Sequence, residues 1–449
     1  MTTIHAGSAL LPNGWAEDVR VSVAGGMVEA IETGASPQVG DERVEMLLPA
    51  LANLHSHAFQ RAMAGLAERR GPGADSFWSW RDVMYRLALS MTPDQLEAVA
   101  AQLYMEMLEA GFGRVGEFHY LHHDRDGAPY ADPAELAGRI MAASAETGIG
   151  LTLLPVFYAH SGFGGQVPSE GQRRFVHSPD AFARLFSTCR DRLASVPGAV
   201  LGLAPHSLRA VTGEELGLLL PLAEGGPIHI HVAEQVREVE DCLAFTGARP
   251  VEWLLDHAPV DGKWCLIHAT HMTDRETRAM AASGAVAGLC PITEANLGDG
   301  IFPAPLFLEE GGAFGVGSDS NVLISLPGEL RQFEYSQRLG NRARNVVAAP
   351  GGSTGEALFA QALAGGAKAL GTTSGIAKGN AADLVSLDLS TVPYLPREAV
   401  LDHWIFAAGI TVDRVWTRGR RIVEGGRHLR REAIASRFIR AMTELREAI

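Results

Sequence analysis

Apolar positions along the middle of the chain fall into two alternating textures. Short apolar runs of strand length sit at 48–54, 114–120, 150–158, 200–208, 227–234, 264–270, 285–291 and 314–318. Between them, apolar residues recur at helical spacing. The stretch 93–110 is one such helix: Thr92 can cap it, Pro93 suits its first turn, Gln95 completes a capping box and Gly111 stops it. Eight strand–helix units over roughly 320 residues predict an α/β fold, a (β/α)8 TIM-like barrel with insertions. A doubly wound open sheet is the alternative. No GxGxxG opens a helix after a strand, which weakens it.

The two ends read differently. Val19 to Val23 alternates, Gly25-Gly26 turns, and 27–31 resumes a strand. A similar texture returns at 383–387 and at 412–423 around Gly419. We therefore expect a small composite β-sandwich domain from 1–48 plus 376–430, with the barrel (49–375) inserted between its halves. A last helix, 431–449, carries Ile434, Phe438, Met442 and Leu445 on one stripe over about 432–447. It should dock on the barrel or on a second subunit.

Composition narrows the function. The 449 residues are 47% hydrophobic, enough for a large core, yet contain no purely apolar run of the roughly 18 residues a membrane span needs. No basic-then-apolar leader opens the chain, and its four cysteines, Cys189, Cys242, Cys265 and Cys290, show no CxxC spacing. A cytoplasmic protein with reduced thiols is expected. The net charge of −14 argues against nucleic acid as partner. It also means that an anionic substrate needs a local basic pocket.

The chemistry gathers at the predicted strand ends. An apolar run, 46–51, reads as a buried strand leading into Leu54-His55-Ser56-His57, and residues two apart on a strand point the same way. The fifth strand supplies His229, His231 and Glu234, the sixth His268, and the eighth ends near Asp319. A lone buried histidine is more often a satisfied core residue than a ligand. Joint placement at several strand ends favours a metal site, with imidazoles and a carboxylate suited to zinc or another divalent ion. His229, deeper than His231, reads as a supporting residue, His271 as structural, and His119, His122 and His123 as a loop feature. A carboxylated lysine on the fourth strand, which bridges two metals in some barrels of this kind, is impossible here, because no lysine precedes Lys263. Glu117 is the one second-strand residue that could bridge instead; a single metal is favoured.

These residues resemble the amidohydrolase superfamily, specifically its mononuclear deaminase branch. Longer strings resemble one family of that branch, whose members hydrolyse the linear amidine N-formimino-L-glutamate. They are His55-Ser56-His57-Ala58-Phe59-Gln60-Arg61, Phe77-Trp78-Ser79-Trp80-Arg81-Asp82, Glu117-Phe118-His119-Tyr120, Ala204-Pro205-His206-Ser207-Leu208-Arg209 and the segment Thr293 to Gly300. The resemblance covers essentially the whole chain. It implies one Zn2+ held by His55, His57, His231 and Asp319, with Glu234, His268 and Asp319 as catalytic groups. It also implies a dicarboxylate substrate. Arg81, on the loop after the first strand, and Arg209, beyond the fourth, are then the carboxylate clamps. Gln60, Tyr120 and His206 complete the polar pocket. A homodimer is expected, since two-fold dimers are the commonest assemblies and the last helix offers a surface.

Overall fold

A computed structural model describes residues 2–70 and 76–446. The N-terminal strands are β1 (Thr2–Leu11), β2 (Gly14–Ala24), β3 (Met27–Glu32) and β4 (Glu42–Pro49). The barrel strands are β5 (Leu51–Ser56), β6 (Phe112–His119), β7 (Gly150–Phe157), β8 (Val200–Leu201), β9 (Ala204–Pro205), β10 (Ile228–Val232), β11 (Trp264–His268), β12 (Val286–Leu289) and β13 (Ala313–Val316). The C-terminal strands are β14 (Leu384–Asp388), β15 (Thr411–Thr417), β16 (Arg420–Glu424) and β17 (Arg427–His428).

The run at 46–51 is not one strand. Met46 to Pro49 closes β4, which pairs with β1 and β14 in the small sheet, and the barrel begins afresh at Leu51. Both chain ends contribute to that eight-stranded sheet, ordered β17-β16-β15-β14-β4-β1-β2-β3. One face buries Ile4, Val19, Val21, Leu47, Leu384 and Trp416 in a core of its own, which the alternation of these segments dictates.

The barrel strands are parallel. β5 to β8 form one ladder, with β9 on β7, and β10 to β13 form another. Bridges Leu203↔Ile228 and Ser207↔His231 join the two ladders on one side, and Ser56↔Asp319 joins them on the other. The fourth strand is split in two. At Gly202 a Cβ would come within 2.7 Å of the Pro227 carbonyl, so backbones cross closely there, and Pro205 has no N–H to give a ladder. The strands read as unbroken apolar runs because helices cover the sheet outside.

Helix α2 (Pro93–Glu109) has the expected capping box between Thr92 and Gln95. The last helix spans Arg431–Arg446, so its expected end at Glu447 lies outside the described residues. It docks on α2 and its surroundings, burying Ile434, Ala441 and Leu445, with Gln95 donating to Glu444 at 2.8 Å and Arg431 bonded to Glu109. The helix thus packs on the barrel. Among the described residues no helix is long and apolar enough to cross a membrane. All four cysteines are buried and free.

Candidate active site

Barrel closure creates the site. The Asp319 N–H donates to the His55 carbonyl at 3.0 Å, and the His57 N–H donates to the Asp319 carbonyl at 3.1 Å. The first and eighth strands thus meet at residues that also carry ligand-type side chains. Gly317 permits this approach: a Cβ there would sit 2.8 Å from Cβ, N and O of His55. Asn321 locks the junction, donating to the His57 carbonyl at 2.9 Å.

His55, His57, His231 and Asp319 converge, with ligand atoms all within 4.8 Å of one another. His55 Nε2 lies 3.2 Å from His57 Nε2 and 3.0 Å from His231 Nε2. Asp319 Oδ1 lies 3.4 Å from His55 Nε2 and 3.2 Å from His57 Nε2. The Nδ1 atoms of His57 and His231 face the Phe118 and His206 carbonyls, both at 3.0 Å. A carbonyl only accepts, so each Nδ1 carries the proton and each Nε2 presents a lone pair. Two lone pairs and a carboxylate thus crowd His55 Nε2, which has at most one proton to offer. A divalent cation satisfies this donor set, with the Nδ1–carbonyl bonds as its usual outer supports. Burial pushes His55 down to about 3 and His231 well below its ordinary value, keeping both rings neutral. Burial alone would raise Asp319; its contacts with His55 and His57 and the charge of His268 hold it well below the usual carboxylate range.

Beside this group lie Glu234 and His268. His268 Nε2 is 3.8 Å from Glu234 and 3.7 Å from Asp319, and its Nδ1 is 3.2 Å from Glu294. Burial opposes its charge, but these carboxylates win and raise it to about 10. Glu234 is raised to about 6 by burial, against the pull of His268 and Arg209. Ala233, His268 and Asp319 all have left-handed backbones, with φ of 52°, 66° and 46°. Such strain in non-glycine residues gathers where a structure over-determines a functional geometry.

A cleft of about 560 Å³ opens onto these groups. Gln60, Arg81, Tyr120, His206 and Arg209 all line it, with His57, His231, Glu234, His268 and Asp319. Gln60 donates to the Tyr120 hydroxyl at 2.7 Å. Burial drives His206 well below its ordinary value, so that ring is neutral. Arg81 is not on a loop: it belongs to helix α1 (Phe77–Ser90), which Ser76 and Ser79 cap reciprocally. Its guanidinium lies 4.5 Å from the Trp78 ring centroid. The Nε atoms of Arg81 and Arg209 are buried without a hydrogen-bond partner. Among the described residues, neither guanidinium lies within 4.0 Å of a carboxylate.

Other histidines stand outside this cluster. His119 closes β6 rather than lying in a loop, and its Nε2 is buried without a hydrogen-bond partner among the described residues. His229 Nε2 bonds the Ala369 carbonyl at 2.7 Å, below the site, and His122 and His123 bond the Val156 and Val176 carbonyls. Glu117 does not join the ligand group: its Oε1 accepts from the Ala58 N–H at 2.7 Å. Sequence reasoning gave no role to Glu294, or to Tyr85, Tyr158 and Phe175, which also line the cleft. Glu294 stands in the Thr293–Gly300 string, in the first turn of the short helix Pro291–Leu297, where it can partner a strand-end histidine. Tyr158 and Phe175 look like core aromatics and carry no such signal.

Comparison with known proteins gives the class first. A model described as the amidohydrolase family matches residues 46–422, and the chain belongs to that family. A second model, the N-terminal domain of formimidoylglutamate deiminase HutF, matches residues 1–45. The formimidoylglutamate deiminase of Pseudomonas aeruginosa is 50% identical over 99% of this chain and 100% of its own length. A 5-methylthioadenosine/S-adenosylhomocysteine deaminase of Natronomonas pharaonis is 25% identical over 90% of this chain and 87% of its own. The crystal structure of an amidohydrolase from Brucella melitensis superposes with a TM-score of 0.97 at 61% identity, covering 99% of this chain and 100% of that one. An adenosine deaminase from Xanthomonas campestris, solved with bound zinc, shares the fold with a TM-score of 0.82 at 22% identity, covering 99% of this chain and 98% of that one.

Proposed function

We propose that this chain hydrolyses N-formimino-L-glutamate to N-formyl-L-glutamate and ammonia, a step in histidine degradation. The observation that carries the reading is the pair Arg81 and Arg209. Among the described residues neither guanidinium has a carboxylate within 4.0 Å, their Nε atoms are buried without a partner, and both face the cleft that also holds the ligand-type cluster, where a dicarboxylate supplies close partners. The similarity to the Pseudomonas aeruginosa deiminase supports the same substrate.

In this reading His55, His57, His231 and Asp319 hold one Zn2+, which would supply the Lewis acidity that lets water ionise near pH of about 7. Gln60, Tyr120 and His206 orient the substrate, with Arg81 and Arg209 on its carboxylates. Asp319 accepts a proton from water as the water oxygen bonds to the formimino carbon. His268, charged beside Glu234 and Glu294, faces the charge that develops there. Glu234 carries protons to the terminal nitrogen. The C–N bond then breaks with its electron pair on that nitrogen, and ammonia leaves, because an amine departs only when protonated. Both water protons finish on nitrogen, and the formyl carbonyl keeps the oxygen. The reading includes a homodimer working in the cytoplasm.

Ammonia release from N-formimino-L-glutamate and from guanine, side by side with zinc-supplemented protein, tests the assignment. Turnover of guanine alone would replace it with a cyclic amidine deaminase. Protein that takes up no zinc and releases no ammonia would point to a non-catalytic binding role.

A further inference from the structure

A third arginine stands outside the two clamps. Arg237, near the start of the helix Val236–Thr246, places its guanidinium 4.9 Å from the Trp78 ring centroid. Arg81 stacks on the same indole, at 4.5 Å. Arg81 and Arg209 line the inner cleft and also an outer basin of about 1030 Å³, which Trp78, Arg237 and Asp241 border. The two clamps therefore stand between the basin and the reacting groups. Arg237's carboxylate neighbour, Asp241, is 3.6 Å away, and both side chains are more than half exposed. Such a pair is weak and easily exchanged for a stronger partner. A dianion approaching a protein of net charge −14 meets repulsion at long range. A local cluster of three guanidiniums at the mouth works against that field where the ligand enters.

We propose that Arg237, stacked on Trp78, is an outer capture residue for carboxylates: it sets the preference for dicarboxylates at the entrance, before Arg81 and Arg209 hold them. This rests on the dicarboxylate reading above and extends it from the reaction to entry. Arg237 touches no reacting atom; its part is in association.

The test uses glutarate, a plain dicarboxylate, with binding read from tryptophan fluorescence at several ionic strengths, alongside kcat and KM for N-formimino-L-glutamate. Arg237→Gln should weaken glutarate binding about 5- to 10-fold at low salt and flatten its salt dependence, while kcat stays within about twofold. Arg237→Lys should restore most of the loss, and Asp241→Asn should tighten binding. Arg397→Gln removes the same charge from the Arg397–Glu17 pair at the small sheet and should change nothing. Binding by Arg237→Gln equal to wild type at low salt, or a loss matched by Arg397→Gln, overturns the proposal, as does wild-type protein that binds no glutarate. Glutarate binding that depends on Arg237 without any ammonia release would sink the proposed reaction and leave the capture residue standing.

Discussion

Replacing Arg209 with methionine separates binding from chemistry. Arg209 reaches the cleft from just beyond β9, where its Nε is buried without a partner. Methionine keeps most of the apolar stem and removes the charge. In the complex, the lost contact is a charge-assisted pair to a substrate carboxylate in a water-poor cleft, which contributes about 2 to 3 kcal/mol. That corresponds to roughly 30- to 150-fold in KM. The carboxylate is several bonds from the formimino carbon, so the contact is equal in ground and transition states, and kcat should fall by less than about fivefold. Among the described residues the free protein loses no ion pair within 4.0 Å, so its stability should change by about 1 kcal/mol or less. In a chain of this size that moves the thermal midpoint by no more than about 4 °C. Steady-state ammonia release, with a melting curve on the same preparation, reads all three quantities. An unchanged KM, or a collapse of kcat at constant KM, would refute the clamp.

Other expectations follow the ligand cluster. Loss of an outer support to a metal ligand costs about 10- to 100-fold, so His231→Ala or Asp319→Ala should lower kcat by more than about 100-fold and reduce bound metal; near-normal kcat in either would contradict the assignment. Treatment with a chelator should stop ammonia release, and added zinc should restore it without refolding. Gly317→Ala should cost about 1–3 kcal/mol, because its Cβ would meet backbone atoms of His55 that cannot swing away. Its thermal midpoint and metal content should fall together; a fall in neither would mean the closure tolerates spreading.

Much of the scaffold was legible because buried parallel strands make continuous apolar runs. Strands β6, β7, β10 and β11 begin within two residues of the predicted starts. The fourth strand was harder, since it is broken at 202–203, between β8 and β9, while its hydrophobic run continues. The division between β4 and β5 was invisible for a similar reason: Met46 to Leu51 is apolar throughout, and only the partner strands show that two sheets share it. Helix α1 was missed because its sequence, Phe77 to Ser90, mixes arginines and aromatics on faces that line both core and cleft. Among the site residues, the histidines and Asp319 announced themselves at strand ends. Glu294 did not, because its place beside His268 depends on how the short helix Pro291–Leu297 is set after β12. The left-handed backbone of Ala233 carries no local signal, and those of His268 and Asp319 only the weak one that histidine and aspartate visit this region more often than most residues.

The most direct test of the account is anomalous diffraction at the zinc edge from crystals of zinc-loaded protein. A single peak per chain, within bonding distance of His55 Nε2, His57 Nε2, His231 Nε2 and an Asp319 carboxylate oxygen, is the predicted result. An empty cluster in zinc-replete crystals, or a peak held by other residues, would contradict it.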